Sequence, residues 1–323
     1  MTTTLRYLAS LAATLLFAAA AHAQTWPGKP IRWIVPYPPG GITDTVTRLV
    51  TQRVSEALGQ PIVVENRPGA NSILGADLAA KAAPDGYTFL TVIAAHAANA
   101  TLYAGKLPFD PVKSFAPVVL IATSGLALVV HPQLPVKSVK EFIQLAKRRP
   151  GQMHYSSPGN GGPQHLAMEL LKLETGIDIV HVPYKGLAGA ITDVMAGHVQ
   201  AMISATQTAH SAVQSGRLRV LAVMSPERSA AFPAAPTMKE IGLSRLEVET
   251  WYGSFAPAGT PAPVITKINA ELNALLQLPD IRELLAKQGM TPRGGSPERF
   301  GDMVGKELVR WARVVEKAKI KAD

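Results

Sequence analysis

The stretch Ile34-Val35-Pro36-Tyr37-Pro38-Pro39-Gly40-Gly41-Ile42-Thr43-Asp44 decides how this chain reads: an apolar run halts at prolines, turns on two glycines and restarts with helical spacing. The same order of parts returns in Tyr155-Ser156-Ser157-Pro158-Gly159-Asn160-Gly161-Gly162-Pro163-Gln164-His165. A strand that turns on glycine into a helix leaves backbone N–H groups unpaired at the helix start, where the helix dipole also favours negative charge. Each turn is therefore a potential anion cradle. Glycine admits left-handed backbone and lets a ligand touch the main chain. One such turn has an equally good structural explanation, but two in one chain argue for a site shared between them.

Outward from these turns, short β-branched runs alternate with helical stretches, the pattern of a parallel α/β sheet with crossover helices. Strands are expected over 31–37, 62–66, 88–93, 118–121, 126–130, 153–156, 179–183, 201–204, 218–224 and 252–256. A helix over 43–58 carries Val46, Leu49, Val50 and Val54 on one face and stops at Gly59. Ser138 with Glu141, and Thr237 with Glu240, have the spacing of capping boxes. Thr260-Pro261 and Ser296-Pro297 are expected to open helices running to 278 and about 317. The apolar run 118–130, interrupted by Thr123-Ser124-Gly125, reads as one strand leaving a first sheet and continuing into a second. Residues 250–258 are placed to carry the chain back. Two crossing segments make a hinge with a cleft. The expected division is residues 1–23 as a leader, 24–124 with 250–323 as one lobe, and 125–249 as the other.

The leader is a secretory signal peptide: Arg6, an apolar run over 8–20, and Ala21-His22-Ala23 before Gln24, with cleavage expected after Ala23. The destination is the periplasm. Its removal leaves 300 residues, enough for two lobes. No later apolar stretch approaches spanning length, so no membrane insertion is expected after cleavage. The chain has no cysteine, which excludes disulfides, thiolate metal sites and a lipoprotein anchor. Its formal net charge is +9, but the basic residues are scattered apart from Lys147-Arg148-Arg149 and the tail lysines Lys317, Lys319 and Lys321. Both clusters fall at helix ends, where they complement the dipole, so nucleic acid is not an expected partner. G-x-G-x-x-G and the P-loop motif are absent, and no nucleotide or other cofactor is expected. The lack of a G-x-S-x-G elbow, metal-ligand spacing or paired carboxylates speaks against an enzyme, the weaker alternative. A ligand-sensing receptor for a signalling partner shares the same ligand chemistry and stays open.

In order along the chain stand Lys29-Pro30-Ile31-Arg32, the first turn, Val64-Glu65-Asn66-Arg67-Pro68-Gly69-Ala70-Asn71, Pro84-Asp85-Gly86-Tyr87-Thr88 and Asp110-Pro111-Val112-Lys113-Ser114-Phe115. They are followed by Val182-Pro183-Tyr184-Lys185-Gly186, Pro236-Thr237 and Ala256-Pro257-Ala258-Gly259-Thr260-Pro261. Together these motifs closely resemble the tripartite tricarboxylate transporter substrate-binding proteins, the Bug family of periplasmic receptors. The resemblance implies a two-lobed α/β binding protein of the Venus-flytrap type, type II-like, with two crossing strands between lobes. It also implies a monomer that captures a small carboxylate (a di- or tricarboxylate, an acidic amino acid or an aromatic acid) for separate permease subunits.

Carried over by position, the resemblance points to Pro39, Gly40, Gly41, Ile42 and Thr43 on one side of the ligand and to Ser157, Asn160, Gly161 and Gln164 on the other. Tyr37 stands where many relatives have phenylalanine and adds a hydroxyl near the cleft. Asn71 replaces a frequent glycine, so the distal end of the ligand does not transfer. Asp44 suits capping of helix N–H groups and would repel an anion, although an amino group on the ligand reverses that. His96, a candidate for the site, invites a metal or acid–base reading with His165 and His181, but no pair has helical ligand spacing and no acidic residue accompanies them. Asn99, Ser204 and Thr206 follow strands and are placed to add side-chain hydrogen bonds, with loop packing an equal account of each. Tyr184 and Lys185 end another strand; Lys185 offers charge to a second carboxylate or simply faces solvent. No metal ligand set is expected.

Overall fold

A computed structural model describes residues 26–322; the expected signal peptide lies outside the described residues. Strands β1 (Ile31–Val35), β2 (Ile62–Asn66) and β3 (Thr88–Ile93) form a parallel block in the order β2-β1-β3. Helices α1 (Ile42–Leu58), α2 (Ile73–Ala80) and α3 (Ala95–Leu102) follow them in turn. Strand β1 stops at Val35 rather than at Tyr37, because Pro36 has no N–H to give to the ladder. The helix of the first turn ends at Gly59 in the left-handed conformation, as its glycine implied.

The run across 118–130 is a single 16-residue strand, β4 (Phe115–Val130). Its first part, through Gly125, pairs with β9 (Glu249–Pro257), and Leu126 to Val130 pair with β7 (Ala201–Ala205) and β8 (Arg219–Val223). Beyond β7 lie β5 (His154–Ser157) and β6 (Val180–Pro183), parallel to one another. Helices α4 (Val139–Arg148), α5 (Pro163–Thr175), α6 (Leu187–Met195) and α7 (Thr206–Gln214) connect them. All ten described strands join in one sheet whose halves share β4.

The strand directions fix where a ligand can sit. Strand β9 is antiparallel to both β3 and β4, so β4 runs the same way as β1, β2 and β3. Strand β7 is antiparallel to β4 and parallel to β5, so the second block runs the opposite way. Since β4 travels from the first block to the second, the carboxyl ends of both blocks point toward the junction between them. Ligands of open α/β sheets bind beyond those ends. The expectation of a wholly parallel sheet is corrected here: only the two three-strand blocks are parallel, because strands that cross the junction and return must oppose their neighbours.

Three local readings also change. Thr237 and Glu240 make both capping-box bonds, 3.1 and 2.9 Å, but no helix follows, and Gly242 turns the chain left-handed instead. The Thr260 hydroxyl bonds back to the Pro257 carbonyl (2.8 Å), and α8 (Ala262–Leu275) starts with Pro261 at its cap. That helix ends before Pro279, which opens a separate α9 (Pro279–Lys287), and an unexpected short strand, β10 (Met290–Pro292), then pairs with β4. Ser138 and Ser296 cap α4 and α10 (Pro297–Lys317) as their spacing implied.

Burial divides accordingly. Trp33, Phe89, Val50, Ile268 and Leu272 belong to a core of the first half, and Val129, Met202, Val223 and Phe232 to one of the second. A third cluster spans both, from Ile34 and Leu90 to Tyr155 and Met168, with Phe300 and Trp311 of α10 inside it. The last helix thus straddles the junction; its Arg313 also reaches Glu174 of α5 (2.8 Å). Among the described residues no helix is long and apolar enough to cross a membrane.

Candidate functional site

The two glycine turns are conformational copies of one another. Gly40 and Gly161 have φ of 77° and 71°, and the glycines that follow are the N-caps of α1 and α5 with φ, ψ of −73°, 167° (Gly41) and −72°, 162° (Gly162). Neither helix has a side-chain cap, so the first-turn amides of both are directed at the junction. The likeness extends to the third helical residue. Gly40 N–H donates to Asp44 Oδ2 (2.9 Å), and Gly161 N–H donates to His165 Nδ1 (3.0 Å). Each turn is thereby clamped from below.

The clamps differ in charge. Asp44 is buried, and Arg48 Nε (2.9 Å) and Asn66 Nδ2 (2.9 Å) also bond its carboxylate. Burial alone pushes its pKa up, but the bonds from Arg48, Gly40 and Asn66 outweigh that and hold it below the usual carboxylate range. Asp44 therefore shapes the turn and keeps its charge occupied. His165 is neutral: burial, with the Lys172 cation adding to it, lowers its pKa to about 4. Its ring stacks on His181 at 3.9 Å, which in turn stacks on Tyr155 at 4.8 Å. Ser157 Oγ gives its proton to Gly159 O (2.9 Å) and accepts from His181 Nε2 at 2.6 Å. Deeper still, Tyr155 donates to Glu169 Oε1 (2.5 Å), which Lys172 also holds (2.7 Å).

The second turn meets the first half of the sheet across the junction, at α3 and at the loop before α2. A methyl group on Gly161 would stand 2.4 Å from Leu102 Cδ2 of α3 and 3.3 Å from Asn71 Nδ2. Pro39, Gly40 and Gly41 are exposed, Ile42 is half-buried and Thr43 is buried beneath them. On the other side Ser157 is buried, Asn160 is half-buried, and Gln164 lies beside the Gly162 cap, its Oε1 3.7 Å from where a methyl on Gly162 would stand. Tyr184 and Lys185 run alongside this turn, with Tyr184 N–H on Ser157 O (3.0 Å) and Gly186 N–H on Pro158 O (2.9 Å). The Tyr184 phenol, pushed up to about 12 by burial and then by Asp193, donates to that carboxylate, while Lys185 is exposed.

Other candidates lie elsewhere. His96 is buried at 1% exposure, donates Nε2–H to Pro111 O (3.0 Å) and packs among Phe109, Phe115 and Phe255. Ser204 is buried at the end of β7 with its hydroxyl on Ala205 O (3.3 Å). Thr206 lines a different cavity of about 540 Å³, together with Gln207, His210, Arg228 and Arg293. Among the described residues no group of three or more His, Cys, Asp or Glu side chains is placed to hold a metal ion.

Sequence reading passed over Ser72. It is the third of three successive left-handed residues, Ala70, Asn71 and Ser72 (φ 46°, 50° and 74°), of which only Asn71 is a residue type that favours that conformation. The loop is held by Asn99, which accepts from Asn71 Nδ2 (2.7 Å) and donates to Asn71 O (2.7 Å). It is tied to the first turn as well, since Gly75 packs so closely on Pro36 that a methyl would approach to 2.7 Å.

The two buried histidines make stability depend on pH. Burial lowers His96 to about 4, as it does His165, against an ordinary 6.5. Below about pH 6.5 the unfolded chain takes up these protons and the folded chain does not, so stability falls as pH drops toward 4. The expected slope is up to about 1.4 kcal/mol per pH unit for each histidine. Urea denaturation at pH 7 and pH 5 measures it. His165→Gln, which keeps an acceptor for Gly161 N–H, is expected to remove about half of the slope.

Comparison with known proteins agrees with this geometry. Residues 46–320 match the model of the tripartite tricarboxylate transporter family receptors. The protein BugT of Bordetella pertussis is 37% identical over 99% of both chains. A protein of R. palustris solved with adipate is 34% identical, with a TM-score of 0.80 over 92% of this chain and 99% of that one. MatC from Rhodopseudomonas palustris, solved with bound malate, is 32% identical, with a TM-score of 0.77 over 90% and 100%. The chain therefore belongs to the tripartite tricarboxylate transporter receptors, a family of solute-binding α/β proteins.

Proposed function

We propose that this protein is an exported receptor that binds a small carboxylate between its two glycine turns and hands it to a membrane permease. The observation that carries the reading is the matched backbone of Gly40-Gly41 and Gly161-Gly162, each opening an uncapped helix toward the junction. Two helix starts aimed at one space suit an anion, since charge-assisted bonds from amides sheltered from water are the strong ones. The adipate and malate bound by two relatives are both carboxylates. The moving bodies on this reading are residues 26–124 with 250–322 and residues 125–249, hinged on β4 and β9. Residues 1–23 direct export, and the mature chain acts as a monomer in the periplasm.

A thermal-shift screen of the mature protein tests the proposal. A carboxylate at about 1,000 times its dissociation constant is expected to add roughly 4 kcal/mol of stability. Stabilisation by amines or neutral sugars, with none by any acid, would sink the anion reading.

A further inference from the structure

The end of the second half that faces away from the junction carries cations without matching acids. Strand register defines this end: β5, β6, β7 and β8 start there and β4 stops there, with Val130 opposite Ala201 and Arg219, and His154 opposite Val180. Helix α4 crosses it. Before the helix, Arg219 donates to the carbonyls of Leu134 and Val136 (3.3 and 2.8 Å). After it, Gln152 N–H bonds to Arg149 O and Gly151 N–H to Asp178 O, at the starts of β5 and β6. Ten residues at about 1.5 Å each span about 15 Å between those anchors.

The helix buries Val139, Phe142, Leu145 and Ala146 and turns Lys140, Gln144, Lys147 and Arg148 to solvent. Spacings of three and four place these on one stripe. Lys137 and Arg149 flank it, and Arg217 stands exposed before β8. Helix chemistry accounts for only part of the array. Lys147 and Arg148 complement the dipole at the carboxyl end, but Lys137 and Lys140 sit at the opposite end, where a cation is unfavourable. Glu141 is spent on the cap, accepting from Lys137 N–H (2.6 Å). Of the neighbouring acids, Glu174 is held by Arg245 and Arg313 and Asp193 by Tyr184, which leaves Asp178. Among the described residues none of these exposed cations lies within ion-pair distance of a carboxylate, whereas Arg53, Lys81, Arg228 and Lys287 elsewhere each do.

We propose that this face is a docking surface for anionic phospholipid headgroups. Protein interfaces centre on apolar and aromatic anchors, and among the described residues the one exposed large apolar side chain at this end is Val180. A row of separate, flexible cations suits instead a surface whose charges are equally separate and mobile. The glycine turns lie at the other ends of the same strands, so lipid and solute do not compete. Being held beside the membrane serves a receptor that feeds a permease; that benefit rests on the transport reading, whereas the binding itself does not.

Flotation of the mature protein with vesicles of phosphatidylglycerol and phosphatidylcholine in equal parts, against phosphatidylcholine alone, tests the assignment. At about 0.1 M salt, where charges act over about 10 Å, the wild type is expected to float with the anionic vesicles only, and about 1 M salt to release it. Lys140→Gln/Lys147→Gln/Arg148→Gln is expected to lower the partition by at least about tenfold, since each cation near such a surface is worth about fivefold. Glutamine is a good helix former, so α4 persists, and thermal melting checks it. A control, Lys106→Gln/Lys267→Gln/Lys306→Gln, removes the same charge from exposed positions of the first half and is expected to float like the wild type. Equal losses in the two triple variants overturn the assignment in favour of net charge alone. A wild type that does not float overturns it too, and leaves an acidic protein surface as the reader of these cations. Carboxylate binding is scored separately by thermal shift, so failure of either reading is seen by itself.

Discussion

Gly41→Leu is expected to abolish ligand stabilisation while leaving the unliganded fold intact. Gly41 has an ordinary φ of −73°, and a methyl there meets only the Pro38 carbonyl, at 3.4 Å. The residue is exposed, so a leucine side chain extends outward from the helix start rather than into the core. It then covers the amides that the first turn offers. Affinity for any acid that binds the wild type should fall by at least about a hundredfold, as expected when the donors to a charged group are blocked. The roughly 4 kcal/mol of stabilisation expected at saturating acid falls to below about 1.5. Thermal melting with and without acid measures both halves of the prediction. Unchanged affinity would remove the first turn from the site, and a lowered melting point without ligand would show the substitution to be structural.

The second large effect belongs to the fold. Gly253 lies in β9, opposite Leu120 of β4 and Val92 of β3. A methyl on it would stand 2.0 Å from Cζ and 2.6 Å from Cε2 of Phe300. That ring is buried at 2% and packs on Trp251 and Phe255, so it has no room to retreat. Gly253→Ala is expected to cost about 3 kcal/mol, the upper end for overpacking a core. In a chain of this size that is a fall of roughly 6 °C in melting temperature. Because the strain is local, Phe300→Leu should recover part of the loss when combined with it, and a double-mutant cycle reads the coupling. Additive losses would place the strain elsewhere. The close approach seats the Phe300 ring of α10 against the backbone of β9.

Several parts of this structure were legible before any coordinates. The strand over 62–66, the end of α1 at Gly59 and the helices opened by Ser138 and Ser296 follow from local spacing and capping chemistry. Where local chemistry was read too far, a neighbour in space intervened. Thr237 and Glu240 complete their bonds without a helix, because the chain there returns alongside β8, with Val223 N–H on Pro236 O (2.9 Å). Strand β10 carries no β-branched run and exists because one edge of β4 was open to it.

By itself the sequence determined the two turns and the crossing strand. Glycine at a strand-to-helix corner and a long apolar run are properties of neighbouring residues, and both were visible as such. Only the tertiary structure decided that the two parallel blocks point at one another, that Asp44 and His165 clamp equivalent amides, and that Ser72 is buried beside Tyr37. Those outcomes depend on strand direction and on contacts between residues far apart in the chain, such as Asn71 with Asn99 and with Gly161, and no local pattern encodes them.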